Sequence, residues 1–270
     1  MITITDAADE RLDDIRNLNH SDNRPDLPGG KGLVIAEGPL VVSRLVESRF
    51  PLRCIVGFPQ KLQAYEEEYG LPEGIPVYAV DRETLAEAAG FDLHRGLLAA
   101  ADRAPEPSLE ELLANAQTLC VLEGVGDHEN IGAIFRNAAG LGVDGVLFGN
   151  GCADPLYRRS VRVSMGHVLR TPFAHLPGTY TTWQRSLEEL RERGFRLVSM
   201  TPGGDTTLAK AVEGADKVAI LVGAEGPGLT EHAMRATDVR AVIPMAAGTD
   251  SLNVATSAAV AFYEVQRSRS

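Results

Sequence analysis

The chain has 270 residues, 44% apolar and 23% charged, a balance that supports a packed core and excludes a disordered polymer. With 26 Lys and Arg against 37 Asp and Glu, its formal net charge of −11 excludes a uniformly basic surface that coats nucleic acid, but not a local basic groove. Cys54, Cys120 and Cys152 are odd in number and far apart, and the six histidines offer no HExxH spacing, so neither a disulfide framework nor a simple zinc or CxxC centre is expected. The first ten residues lack the basic start and apolar run of a secretory signal. No segment approaches the roughly 18 uncharged apolar residues that span a bilayer. The expectation is a cytoplasmic protein with no metal and no membrane partner.

In chain order, residues 1–30 are polar and turn-rich and read as a short helix or arm ending in the turn Pro25-Asp26-Leu27-Pro28-Gly29-Gly30. Leu33–Ala36, Arg53–Gly57 and Ile75–Val80 read as strands, with helices from Pro39 to Val46 and around Leu62–Tyr69. This alternation predicts a small α/β domain over residues 31–100. Pro105 and Pro107 followed by Ser108-Leu109-Glu110-Glu111 mark residues 101–117 as a linker that runs into a capped helix. A second domain, 118–270, repeats the rhythm: strands at Thr118–Leu122, Gly145–Phe148, Arg196–Met200, Val218–Val222 and Ala241–Pro244, with helices at about Asn130–Leu141 and Leu252–Arg267. The apolar runs suit strands of a parallel sheet buried on both faces. Formal charge is −7 over residues 1–100, −3 over the linker and −1 over the second domain, so most of the acidic surplus lies outside that domain.

Three polar or glycine-rich junctions stand at the carboxyl ends of predicted strands, where open α/β sheets place ligands. The first is Glu123-Gly124-Val125-Gly126-Asp127-His128-Glu129-Asn130-Ile131-Gly132-Ala133-Ile134-Phe135-Arg136. The second is Gly223-Ala224-Glu225-Gly226-Pro227-Gly228-Leu229, and the third runs from Ile243-Pro244-Met245 to Ser251-Leu252-Asn253-Val254. Taken singly, each is equally well a capped helix or a bare turn: Asn130 and Ser251 as helix caps, Arg136 on a surface ion pair. Neither a phosphate loop ending in GKS/T nor a dinucleotide GxGxxG is present.

Taken together and in this order, the three junctions resemble the SpoU, or TrmH-like, branch of the SPOUT RNA methyltransferases. The likeness covers about residues 118–267 through Asn-x-Gly-Ala-Ile-x-Arg, Gly-x-Glu-x-x-Gly-Leu and Ile-Pro-Met followed by Ser-Leu-Asn-Val. A weaker likeness, through Ile35–Pro39 and His94-Arg95-Gly96, reaches the first domain. One departure is Ala247, at the usual glycine position four residues before the serine, with Gly248 beside it.

The resemblance implies a SPOUT domain with a parallel sheet and a deep trefoil knot, a ribosomal-protein-like amino-terminal substrate domain, a homodimer, and S-adenosylmethionine as cofactor. It implies methyl transfer to a ribose 2′-hydroxyl of RNA, with ribosomal RNA favoured over transfer RNA. By motif position, Gly223, Ile243, Met245 and Leu252 bind the cofactor. Arg136 is the expected catalytic clamp, too basic to be a ready proton acceptor. Asn130 fixes the first loop, Glu225 holds Arg136 or the second-loop backbone, and Ser251 and Asn253 order the third loop and approach the ribose. Arg158, Arg159 and Arg162, in the most basic stretch of the chain, are expected to contact RNA phosphates, with His94 and Arg95 as further candidates from the first domain. Competing readings are a transfer RNA 2′-O-methyltransferase, a non-catalytic RNA-binding or ribosome-assembly protein, and, more distantly, a small-molecule nucleotide enzyme.

Overall fold

The computed structural model of the chain describes residues 1–19 and 30–269. They divide into two compact units: Met1–Pro105 with Pro155–Arg170, and Glu106–Asp154 with Thr171–Ser270. The expected turn at Pro25-Asp26-Leu27-Pro28-Gly29 lies outside the described residues.

The first unit opens with β1 (Ile2–Thr3) and a 3-10 helix (Glu10–Ile15), followed by β2 (Leu33–Glu37), α1 (Pro39–Val46), β3 (Leu52–Gly57), α2 (Pro59–Tyr69), β4 (Val77–Ala79), α3 (Arg82–Ala89) and β5 (Leu97–Asp102). Its five strands run in the order β1-β4-β3-β5-β2, with β5 antiparallel to both neighbours and the remaining pairs parallel. Residues 1–19 are therefore not a loose arm. Ile2 and Thr3 pair with the β4 edge, and Leu12, Ile15 and Leu18 are buried in the same core as Ile35, Val56 and Leu98. The spacing of three between Leu12 and Ile15 matches the 3-10 helix, which stacks them on one face, while Leu18 follows after the helix has ended.

In the second unit come α4 (Leu109–Leu113), β6 (Thr118–Glu123), α5 (His128–Gly140) and β7 (Gly145–Phe148). The chain next gives α6 (Arg158–Val163) to the first unit. It completes the second with β8 (Phe173–His175), α7 (Leu187–Glu192), β9 (Arg196–Met200), β10 (Thr206–Thr207), α8 (Leu208–Val212), β11 (Val218–Gly223), α9 (Glu231–Arg235), β12 (Val239–Val242) and α10 (Val254–Ser268). Every pairing in this seven-stranded sheet is parallel, in the order β10-β12-β9-β11-β6-β7-β8. Because β12, β9, β11 and β6 are consecutive neighbours pointing the same way, the loops after their carboxyl ends emerge side by side.

The linker expected over 101–117 is shorter than its composition suggests. Ala101 and Asp102 close β5, while Leu112 and Leu113 of α4 are buried in the second unit's core, under a capping box between Ser108 and Glu111. The last strand also ends earlier than the Ala241–Pro244 reading: Pro244 has no N–H to give a ladder, so Ile243 onward leaves the sheet as a loop. Among the described residues no helix is long and apolar enough to cross a membrane, and no group of three or more His, Cys, Asp or Glu is placed to hold a metal ion.

Candidate functional site

β11 ends at Gly223, in register with Glu123 at the end of β6. The chain then folds back on itself: Ala224 and Gly228 form an antiparallel bridge, with the Gly228 N–H donating to the Ala224 carbonyl at 2.9 Å. Gly223 lies so close to the returning strand that a Cβ there would sit 2.2 Å from the Leu229 nitrogen. No side chain fits there, so only glycine lets the returning strand close the hairpin.

Above it is a cavity of about 430 Å³. Met200 at the end of β9 and Thr201 after it, the Gly223–Gly226 hairpin, Ile243 and Met245 after β12, and Ser251–Asn253 with Val254 at the start of α10 form its walls. Val222, Val242, Ile243, Met245, Leu252 and Val254 make it largely apolar, with a few convergent polar groups, the usual character of a small-molecule site.

Asn253 ties three loops together. Its Nδ2 donates to Asn130 Oδ1 at 2.9 Å and to Glu225 Oε1 at 2.6 Å, while its Oδ1 accepts from the backbone N–H groups of Ala255 at 2.9 Å and Thr256 at 3.1 Å. Both amide hydrogens and the carbonyl are thus used. The cap of α10 is Asn253, not Ser251, which lies exposed at the cavity wall. Asn130 is likewise not the cap of α5: Asp127 caps it, accepting from the Glu129 N–H at 2.8 Å, and this frees Asn130, 8% exposed, to meet Asn253. Replacing Asn253 by alanine removes a two-donor cap and both loop links. A loss of about 1–2 kcal/mol from the cap is expected, measurable by thermal unfolding, together with weaker binding in the cavity.

The SpoU rRNA Methylase family model matches residues 117–263, the span that contains all these loops. The chain belongs to the SpoU methylase family. It is 54% identical over 268 residues to a protein of Mycobacterium tuberculosis named as an uncharacterized tRNA/rRNA methyltransferase, covering 98% of this chain and 91% of that one. A Mycobacterium ulcerans protein of the same designation is 32% identical over 73% of this chain and 63% of its own. Among solved structures, the SpoU methyltransferase AviRb from Streptomyces viridochromogenes, in complex with AdoMet, superimposes with a TM-score of 0.80 at 23% identity, covering 97% of this chain and 98% of that one. One described as an RNA 2′-O ribose methyltransferase gives 0.77 at 26% identity, covering 99% of both chains.

In this SpoU methylase the residues expected around the cofactor, Gly223, Ile243, Met245 and Leu252, all line one cavity, as do Glu225, Ser251 and Asn253. Arg136 does not join them. It is exposed on α5, with no hydrogen bond or ion pair among the described residues, and the partner of Glu225 is Asn253 in its place. Six residues of helix separate Arg136 from Asn130, a rotation that puts the two on different faces. The Ala247 departure is absorbed locally: Gly248 supplies the left-handed residue of the turn, at φ +84°.

The basic stretch behaves differently from its sequence reading. Residues 155–170 pack in the first unit, not with the 118–270 domain, and Arg158 is anchored there. Its guanidinium pairs with the carboxylate of Glu37, donates to Asn19 Oδ1 at 3.0 Å and lies 4.6 Å from the Phe91 ring centroid. Glu37 is only 5% exposed, so Arg158 serves as the counter-ion of a buried carboxylate. Arg162 lies 3.9 Å from the same carboxylate, Arg95 donates to the Glu37 carbonyl at 3.5 Å, and Arg159 and His94 are exposed. Two candidate RNA-binding sets, assigned by sequence to separate domains, thus belong to one unit. Arg158→Ala removes the nearest counter-ion of the buried Glu37 and should destabilise that unit by about 3–5 kcal/mol, read as a lower melting temperature in differential scanning calorimetry.

Sequence reasoning gave no role to Glu123 or to Thr201. The second had a legible signal, since Thr201-Pro202-Gly203-Gly204 is a fourth polar junction after an apolar strand. Burial pushes the Cys54 thiol up to about 12 and the Cys152 thiol up to about 11, which leaves both protonated and unreactive.

Proposed function

We propose that this chain transfers a methyl group from S-adenosylmethionine to a ribose 2′-hydroxyl of structured RNA, with ribosomal RNA favoured over transfer RNA. The observation that carries the reading is the tight Gly223–Gly228 hairpin, which closes only because Gly223 lacks a Cβ, on the wall of an apolar cavity that gathers the loops after β9, β11 and β12. Its volume suits an adenosine, and its composition suits an adenine face with backbone groups at the edge. Gly223, Ile243 and Leu252 hold the cofactor through backbone groups, with Met245 against it. When bound, the sulfonium supplies an electrophilic methyl group.

The chain's own residues then have three tasks. The Asn130–Asn253–Glu225 network holds the loops in register, so that the methyl group and the acceptor oxygen can align. Ser251, exposed at the rim, approaches the ribose. Arg136, without a partner of its own among the described residues, clamps the phosphate beside the acceptor and neutralises developing alkoxide charge.

The 2′-O assignment draws support from the RNA 2′-O ribose methyltransferase likeness, and the ribosomal preference from the family's description. The same reading includes the family's carboxy-terminal trefoil knot, a substrate-selecting role for the first unit with Arg159 and His94 as its RNA contacts, and a homodimer. The dimer is favoured by α10, which buries Ala258, Ala261 and Phe262 on one face and leaves Val260 and Tyr263 exposed on another. Incubation of the purified protein with tritiated S-adenosylmethionine and total RNA, followed by mapping of ribose methylation, tests the whole. Label at one or a few 2′-oxygens of ribosomal RNA is expected. Label only on transfer RNA overturns the substrate preference, and cofactor-independent RNA binding without transfer overturns the enzymatic reading.

A further inference from the structure

Glu123 closes β6, is 2% exposed, and takes part in none of the steps above. A carboxylate so buried needs full hydrogen bonding to persist. Its Oε1 accepts from the indole Nε1 of Trp183 at 3.0 Å, the Nε2 of Gln184 at 3.4 Å and the hydroxyl of Thr230 at 2.9 Å. Its Oε2 accepts from the Thr230 backbone N–H at 2.7 Å. Two of these four donors belong to Thr230, which follows directly on the Gly223–Leu229 hairpin and caps α9. Glu123 is also the register partner of Gly223, where the hairpin begins. One side chain therefore fastens the far end of the hairpin to the strand beside its near end, while Asn253 holds its tip through Glu225.

We propose that Glu123 is the positioning residue of the cofactor site: by fixing Thr230 it holds the Gly223–Gly228 hairpin in its binding conformation. The proposal rests on S-adenosylmethionine occupying the cavity above that hairpin. Only an acceptor satisfies the surroundings of Glu123. A glutamine has the same shape, but its NH₂ must face either the Thr230 N–H or the three donors at Oε1, and neither placement leaves every donor paired. Trp183 is the single tryptophan of the chain, so its emission reports on the same carboxylate.

The test titrates wild type, Glu123→Gln, Thr230→Ser and Thr230→Val with S-adenosylmethionine by calorimetry, with turnover on RNA measured in parallel. Glu123→Gln should raise the cofactor Kd and KM at least tenfold and shift the Trp183 emission of the free protein, while kcat at saturating cofactor and KM for RNA stay within twofold. Thr230→Ser, which keeps the hydroxyl, should bind as wild type; Thr230→Val, which loses it, should bind at least threefold more weakly, and this pair decides the matter if Glu123→Gln does not fold. Wild-type cofactor affinity in a folded Glu123→Gln, or in Thr230→Val, overturns the proposal, as does a parallel fall in kcat and in RNA affinity. If wild type itself fails to bind S-adenosylmethionine, the cofactor reading falls and this one with it; if wild type binds and the variants match it, this one alone falls.

Discussion

Replacement of Arg136 by alanine should lower methyl transfer by about two to three orders of magnitude and leave S-adenosylmethionine affinity within about twofold. The two readouts separate because Arg136 lies outside the cavity wall, whereas every expected cofactor contact lies on it. An exposed guanidinium with no partner among the described residues adds little to stability, so the variant should melt as wild type does. Its contribution would come only with RNA present, where it meets a phosphate and a developing alkoxide. Arg136→Lys should recover part of the activity, since it keeps the charge but loses the planar two-donor fork. Single-turnover rates with saturating cofactor give the comparison. Near-normal turnover in Arg136→Ala would remove the residue from the reaction.

The other large effect is expected at Gly223. Alanine there would place a Cβ 2.2 Å from the Leu229 nitrogen and 2.3 Å from the Gly228 carbonyl carbon, both backbone atoms that cannot rotate away. The hairpin must open, at a cost of about 1–3 kcal/mol or more for the overpacking, and the backbone that lines the cavity moves with it. Cofactor affinity should fall at least tenfold. Gly226 is the control: it has φ +87°, but a Cβ there would meet nothing within 4 Å, so Gly226→Ala carries only the left-handed backbone cost of about 1–2 kcal/mol. Calorimetric titration of both variants distinguishes crowding from backbone strain. Equal affinity in Gly223→Ala and wild type would remove the hairpin from the cofactor site.

Much of the second unit is legible in the sequence because parallel strands buried on both faces are written as continuous apolar runs. Val218–Val222 and Arg196–Met200 can be placed to within a residue for that reason. Short edge strands give less: Phe173–His175 and Thr206–Thr207 have three and two residues, too few to show a period. The cofactor-side residues of the candidate site are legible as motifs, yet their mutual contacts are not. Glu225 is expected on Arg136 or the second-loop backbone and meets Asn253; Asn130 and Ser251 read as caps, but Asp127 and Asn253 hold those places. Any of these residue types can cap a helix or accept a hydrogen bond, and only the fold decides which neighbour is within reach.

The sequence by itself determined the α/β class and most of the central strands, because periodicity is a local property of the chain, and the resemblance of its three motifs to a known family pointed to the residues that crowd the cavity. The tertiary structure decided what those residues touch. It brought Glu37 and Arg158 together across 121 positions and made the arginine the counter-ion of a buried carboxylate. It drew Glu123 and Thr230 together across 107 positions and made a plain strand end the anchor of the glycine hairpin. Burial is the physical reason in both cases: a charge removed from water must find its partners wherever the fold supplies them, and sequence separation carries no record of that distance.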